Sequence, residues 1–83
     1  MKILIVDDEE MIREVLREYA EFEGYEVFEA EDGMEAVRLC RENDYDVILM
    51  DIMMPHLDGF SAVKEIKKAK DIPVIMQIGR AHV

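Results

Sequence analysis

Two short apolar runs, each ended by aspartate, constrain the fold of this chain more than any other feature. Residues 3–6 (ILIV) are followed by Asp7 and Asp8, and residues 47–50 (VILM) are followed by Asp51. Uninterrupted runs of β-branched and other apolar residues of this length are typical of strands that are covered on both faces of a parallel sheet. Because the carboxyl ends of parallel strands meet at one rim of the sheet, we expect the three aspartates to lie together there.

The rest of the chain repeats this alternation of apolar runs with amphipathic stretches, in the order βαβαβαβ. We predict four strands at about residues 2–6, 25–29, 46–50 and 72–76, with three helices between them. Parallel strands joined by right-handed helical crossovers form a doubly wound sheet, which predicts a flavodoxin-like α/β fold. The expected strand order is 2-1-3-4, with the second strand at an edge.

Residues that start and stop helices support this division. Asp8 is placed to cap the first helix, and Gly24 is placed to end it. Asp32, with a glutamate three residues later, opens the second helix, and Asp58-Gly59 starts the third. The apolar residues expected to face the core recur at helical spacing: Ile12, Val15, Leu16, Tyr19 and Ala20, then Ala36, Val37, Leu39 and Cys40, then Phe60, Val63 and Ile66.

Length and charge exclude several classes of protein. The 83 residues suit one small domain, and their formal net charge is −10. Residues 1–60 hold 18 acidic and 5 basic side chains, whereas residues 61–83 hold 2 acidic and 5 basic ones. Nucleic acids and anionic membranes bind clustered Lys and Arg, so we expect neither as a partner. The first apolar run is too short for a signal peptide or a membrane span, which favours a cytoplasmic protein.

Three carboxylates at one rim of a sheet favour a cation site. Two unit charges about 4 Å apart repel by roughly 4 kcal/mol at an effective dielectric constant near 20, so the cluster must be protonated or counterbalanced. Magnesium prefers oxygen ligands and is the expected counter-ion. Helix capping would explain Asp8 by itself, and it is the combination with Asp51 that favours metal binding.

Three segments of the chain resemble the receiver domain of bacterial two-component response regulators. They are ILIVDDEE, VILMDIMMPHLDG and IPVIM, and the resemblance spans residues 1–76. The most specific part is Asp51 followed by apolar residues, Met-Pro and then Asp58-Gly59. The resemblance implies a phosphorelay function, in which Asp51 accepts a phosphoryl group from a sensor histidine kinase or phosphotransfer protein.

The same resemblance implies a set of magnesium ligands. Asp8 would bind Mg²⁺ directly and Asp7 mainly through water. Asp51 would be a further ligand, together with the backbone carbonyl of Met53. A carboxylate nucleophile that forms an aspartyl phosphate is consistent with this arrangement.

The last seven residues depart from the resemblance. Receiver domains continue through a fourth helix, a fifth strand ending in Lys and a fifth helix, and they carry Thr or Ser at the position of Ile78. Residues 77–83 also lose the hydrophobic pattern that precedes them. We therefore predict a partial receiver domain over residues 1–76, with impaired switching, and a non-native tail over residues 77–83. The fourth strand would then be an exposed apolar edge, prone to dimerisation or aggregation.

Two alternative interpretations stay open at this point. A magnesium-dependent phosphohydrolase with an aspartyl-phosphate intermediate typically carries a second Asp two residues after the nucleophile. That residue is Met53 here, which favours a single phosphorylation over enzymatic turnover. The other interpretation is an inactive fragment.

Overall fold

Four parallel strands and three helices follow one another in the predicted order. The computed structural model describes residues 1–52, 54 and 57–77. Its elements are β1 (Lys2–Val6), α1 (Glu10–Phe22), β2 (Glu26–Ala30), α2 (Gly33–Glu42), β3 (Val47–Asp51), α3 (Gly59–Ala69) and β4 (Val74–Gln77). All strand pairs are parallel, and the strand order is β2-β1-β3-β4. The predicted flavodoxin-like α/β fold is confirmed.

The central strands are buried on both faces, as their apolar runs predict. Leu4 and Val6 of β1 belong to a core that α2 and α3 cover, whereas Ile3 and Ile5 belong to a second core beneath α1. Alternate side chains of a strand point to opposite faces, so β1 contributes to both cores. Ile48 of β3 is also fully buried. This burial fixes the strand register and therefore the position of the residues that follow each strand.

Two of the three predicted helix starts are confirmed. The Asp32 carboxylate accepts a hydrogen bond from the Glu35 amide at 2.8 Å, and that of Asp58 accepts one from the Ser61 amide at 2.9 Å. Gly24 follows α1 with a φ of 92°, a left-handed conformation that glycine adopts without strain.

The predicted cap of α1 is wrong. Glu9, and not Asp8, occupies the N-cap position of α1, and no side-chain hydrogen bond caps this helix. Asp7 Oδ1 instead accepts a hydrogen bond from the Glu9 amide at 2.8 Å. The polar turn before α1 is thus organised by the first aspartate of the pair.

Three of the residues predicted to face the core are exposed. Val15 and Tyr19 of α1 are 49% and 69% exposed, and Phe60 of α3 is 61% exposed. α1 packs on β1 and β2 through Leu16 and Ala20. Since successive residues of a helix are turned by about 100°, the residues one position earlier point away from the sheet. In α3 the small residue Ala62 and the larger Ile66 are buried, and Phe60 is not.

The last two strands end one residue later than predicted. Asp51 is the final residue of β3 and pairs with Gln77, the final residue of β4. The Ile52 amide donates to the Gln77 carbonyl at 3.0 Å. Residues 78–83, with Ile78 among them, lie outside the described residues, and the boundary between residues 76 and 77 stays a prediction. Among the described residues no helix is long and apolar enough to cross a membrane.

Candidate functional site: an acidic cluster at the sheet rim

The ends of β1 and β3 bring three aspartates together. The two strands are neighbours, and Val6 pairs with Met50, so they end side by side. One carboxylate oxygen from each of Asp7, Asp8 and Asp51 lies within 4.8 Å of the other two. The structure therefore places the three side chains as the sequence pattern predicts.

Asp7 is held in a buried position that disfavours its charge. Asp7 is only 1% exposed, and its Oδ2 atom is buried with no hydrogen-bond partner among the described residues. Burial raises the pKa of Asp7, the Glu9 amide lowers it, and the charges of Asp51, Asp8 and Glu9 raise it, with a net increase. A cation in the cluster would relieve both the repulsion and the unsatisfied oxygen.

The Asp51 backbone is packed tightly against the start of α3. Asp51 is 1% exposed. The Gly59 amide donates to the Ile52 carbonyl at 3.0 Å, and a Cβ at Gly59 would collide with the Asp51 carbonyl oxygen. The Asp58-Gly59 pair thus has two structural functions, because the first residue caps α3 and the second lets that helix approach the acidic strand end.

An arginine from α1 contacts the backbone of the cluster. Arg13 Nη1 donates to the Asp7 carbonyl at 2.7 Å, and Arg13 Nε donates to Glu29 Oε1 at 3.0 Å. Arg17 Nε donates to the other carboxylate oxygen of Glu29 at 2.7 Å. Sequence reasoning missed these residues. No local spacing indicates them, since Arg13 lies on α1 and Glu29 lies on β2, 16 residues later.

Neither Met53 nor the lysines near the end of α3 can be added to the cluster from the described contacts. Met53 is outside the described residues, so its predicted role as a carbonyl ligand stays a prediction. The lysines at and after the end of α3 form ion pairs with other acidic residues. Lys67, Lys68 and Lys70 pair with Asp71, Glu65 and Asp44. These pairs lie toward the C-terminal end of α3, whereas the aspartates lie near its N-terminal end.

The model of the response regulator receiver domain matches residues 3–82. The chain belongs to this family. The receiver domain is 45% identical over 75 residues to the transcriptional regulatory protein SrrA of Staphylococcus aureus, and this alignment covers 90% of the chain. It covers only 31% of SrrA, so the chain spans about a third of the length of this relative.

Solved receiver structures share the fold. The response regulator TrrA from Thermotoga maritima, in complex with Mg²⁺-BeF, is 45% identical with a TM-score of 0.86, covering 90% of this chain and 66% of TrrA. The receiver domain of sensor histidine kinase PA1611 from Pseudomonas aeruginosa, with a magnesium ion in its active site cleft, is 37% identical with a TM-score of 0.87. That match covers 90% of this chain and 64% of the other. The chain is thus a response regulator receiver domain.

Proposed function

We propose that Asp51 is the phosphoacceptor of this receiver domain. The observation that carries the proposal is the place of Asp51 at the end of β3, buried and within 4.8 Å of the carboxylates of Asp7 and Asp8. The donor would be a sensor histidine kinase or a phosphotransfer protein. A carboxylate oxygen of Asp51 attacks the phosphorus, and the bond from phosphorus to the phosphohistidine nitrogen breaks, with its electron pair left on the imidazole.

The same cluster fits magnesium. Its donor set is three carboxylates, which are hard oxygen ligands, and the buried Oδ2 of Asp7 has no hydrogen-bond partner among the described residues. We propose that Asp7, Asp8 and Asp51 hold Mg²⁺, with the carbonyl of Met53 as a further ligand. When bound, the ion supplies positive charge that offsets both the carboxylates and the oxygens of the transferred group.

The protein's own contribution is to hold the nucleophile and its neighbours in place. The Glu9 amide fixes one oxygen of Asp7, and Oδ2 stays buried with no hydrogen-bond partner among the described residues. Close packing of Gly59 against the Asp51 carbonyl fixes the end of β3. Burial of Asp51 limits the access of water, which favours a stable phosphorylated protein over rapid hydrolysis.

Acetyl phosphate provides a direct test. The 83-residue chain is incubated with acetyl phosphate and Mg²⁺, and its intact mass is measured. We expect an adduct of one phosphoryl group that Asp51→Asn abolishes. Asp46→Asn is the matched control, because the Asp46 carboxylate accepts a hydrogen bond from the Lys2 amide at the other end of β3. This control should keep the adduct.

The other outcomes separate the alternatives. Continuous release of phosphate without an adduct would support the phosphohydrolase interpretation, since the intermediate would turn over. No adduct and no release would support the inactive fragment. An adduct that persists in Asp51→Asn would place the phosphoryl group on another residue and overturn the proposal.

A further inference from the structure

We propose that Arg13 is a positioning residue for the acidic cluster and that Glu29 holds Arg13 in place. The proposal rests on the proposed function, because the property it concerns is the binding of magnesium by the cluster. Arg13 would act through the backbone of Asp7 and would not touch the metal or the transferred group.

The Arg13 side chain joins the end of one strand to its neighbour. Its side chain is only 11% exposed. Nη1 donates to the carbonyl of Asp7 at 2.7 Å while Nε donates to Glu29 of β2 at 3.0 Å. Both hydrogen bonds come from the same charged, rigid and planar guanidinium group, which makes them stronger than bonds between neutral groups. Arg13 therefore ties the turn between β1 and α1 to β2.

Glu29 is itself fixed by a second arginine. Its other carboxylate oxygen accepts from Arg17 Nε at 2.7 Å, and Arg17 also donates to the Val27 carbonyl at 3.4 Å and to Glu21 at 3.2 Å. The two arginines share one carboxylate, but the described contact with the Asp7 carbonyl belongs to Arg13. This difference separates the effect on the cluster from the effect on the ion pairs.

The contact completes the anchoring of the Asp7 backbone. The Asp7 amide donates to the Ala30 carbonyl at 3.2 Å, its side-chain Oδ1 accepts from the Glu9 amide, and its carbonyl accepts from Arg13. The carbonyl of Asp7 is part of the peptide that leads to Asp8. Its orientation therefore sets the directions of two of the three carboxylates in the cluster. Partners that orient metal ligands in this way commonly change metal affinity about 10- to 100-fold when they are removed.

Calorimetric titration with Mg²⁺ tests the proposal on the 83-residue chain. Arg13→Met removes the contact with Asp7, and we expect magnesium affinity to fall about 10-fold. Arg17→Met is the matched control, since it removes a neighbouring ion pair to the same Glu29 and leaves the Asp7 contact intact. We expect this variant to bind Mg²⁺ as the wild type does, because Arg13 keeps its own hydrogen bond to the other carboxylate oxygen of Glu29. Urea denaturation of both variants measures the loss of stability separately.

Three results would overturn the proposal. The first is an unchanged magnesium affinity in Arg13→Met. The second is an equal loss of affinity in Arg17→Met, because the effect would then come from the shared ion pairs or from general stability. The third is a wild type that does not bind Mg²⁺, in which case the proposed metal site itself fails. Wild-type binding with an unaffected Arg13→Met leaves the proposed function intact and removes only the positioning role.

Arg13→Lys keeps the test decisive if Arg13→Met does not fold. Lysine retains the charge but has a single donor group, which cannot reproduce the two-directional fork between Asp7 and Glu29. We expect Arg13→Lys to fold and to bind Mg²⁺ more weakly than both the wild type and Arg17→Met. Wild-type affinity in a folded Arg13→Lys would contradict the requirement for the arginine fork.

Discussion

Replacing Asp7 by Asn is expected to make the metal-free receiver domain more stable. The pKa of Asp7 is raised by burial and by the charges of Asp51 and Asp8, against the lowering effect of the Glu9 amide. A raised pKa means that the folded state disfavours the charged form, and this penalty is present at neutral pH and disappears as the pH falls through the raised pKa toward 3.8. Asn keeps an oxygen for the Glu9 amide and removes the charge.

The geometry gives the size of the effect. Two carboxylate charges 4.8 Å apart, the largest separation between the clustered oxygens, repel by about 3.5 kcal/mol at an effective dielectric constant of 20. Solvent and salt reduce this at a rim, so we expect a gain of about 1–2 kcal/mol, or a rise of roughly 5–10 °C in Tm for a domain of this size. Magnesium binding offsets most of this difference in stability. At ten times its Kd it stabilises the wild type by about 1.4 kcal/mol and should stabilise Asp7→Asn much less.

Thermal denaturation monitored by circular dichroism, once in EDTA and once in Mg²⁺, measures both effects. Glu14→Gln is the control, because it removes one negative charge from the exposed surface of α1. It should leave both the stability and the magnesium response nearly unchanged. The reasoning is refuted if Asp7→Asn is less stable than the wild type in EDTA, or if the control stabilises the domain as much as Asp7→Asn does.

Four further predictions concern the surroundings of the cluster. Gly59→Ala would place a Cβ against the Asp51 carbonyl, so we expect the free energy of unfolding in urea to fall by more than about 2 kcal/mol and acetyl phosphate labelling to weaken. Wild-type stability and labelling would contradict the close approach of Gly59 to Asp51. Gln77→Leu removes a buried amide nitrogen with no hydrogen-bond partner among the described residues. The free energy of unfolding in urea should rise by about 1 kcal/mol, and a lower value than that of the wild type would contradict this. Burial raises the pKa of Glu29, but hydrogen bonds from two arginines outweigh burial and lower this pKa below 4.5. Glu29→Gln should therefore destabilise the domain at neutral pH, and the loss of stability should shrink as the pH falls through the lowered pKa. A loss of stability that does not depend on pH in urea denaturation would argue against this. Ile75→Lys, on the edge strand β4, should shift any self-association in sedimentation velocity toward monomer, and a wild type that is monomeric at high concentration would remove the predicted edge pairing.

The sequence predicts the sheet and the acidic cluster well because both depend on the same strong pattern. A run such as residues 3–6 is apolar at every position, which is typical of a strand covered on both faces, and the acids come directly after it. Parallel pairing then places Asp7 and Asp51 at one rim without any further information. The capping aspartates of α2 and α3 are predicted for a similar reason, since a cap is a local contact within four residues.

The remaining features depend on contacts that no local pattern describes. Val15 and Tyr19 fit a helical stripe, but the sequence does not say which side of α1 the sheet covers, and the structure leaves both exposed. The sequence predicts that Asp8 caps α1, but Asp7 accepts the hydrogen bond from the Glu9 amide, because the geometry of the turn is shifted by one residue. Arg13 and Glu29 meet only after α1 has folded against β2.

The unequal cores on the two sides of the sheet have a consequence for how the domain loosens. Among the described residues, twelve buried side chains form the core beneath α2 and α3, whereas four form the core beneath α1. On warming, α1 should therefore detach before the other helices. Asp7 and Asp8 directly precede α1, whereas Asp51 lies next to α3 on the side of the larger core. An ion bound by all three would therefore link the less stable part of the domain to the more stable part.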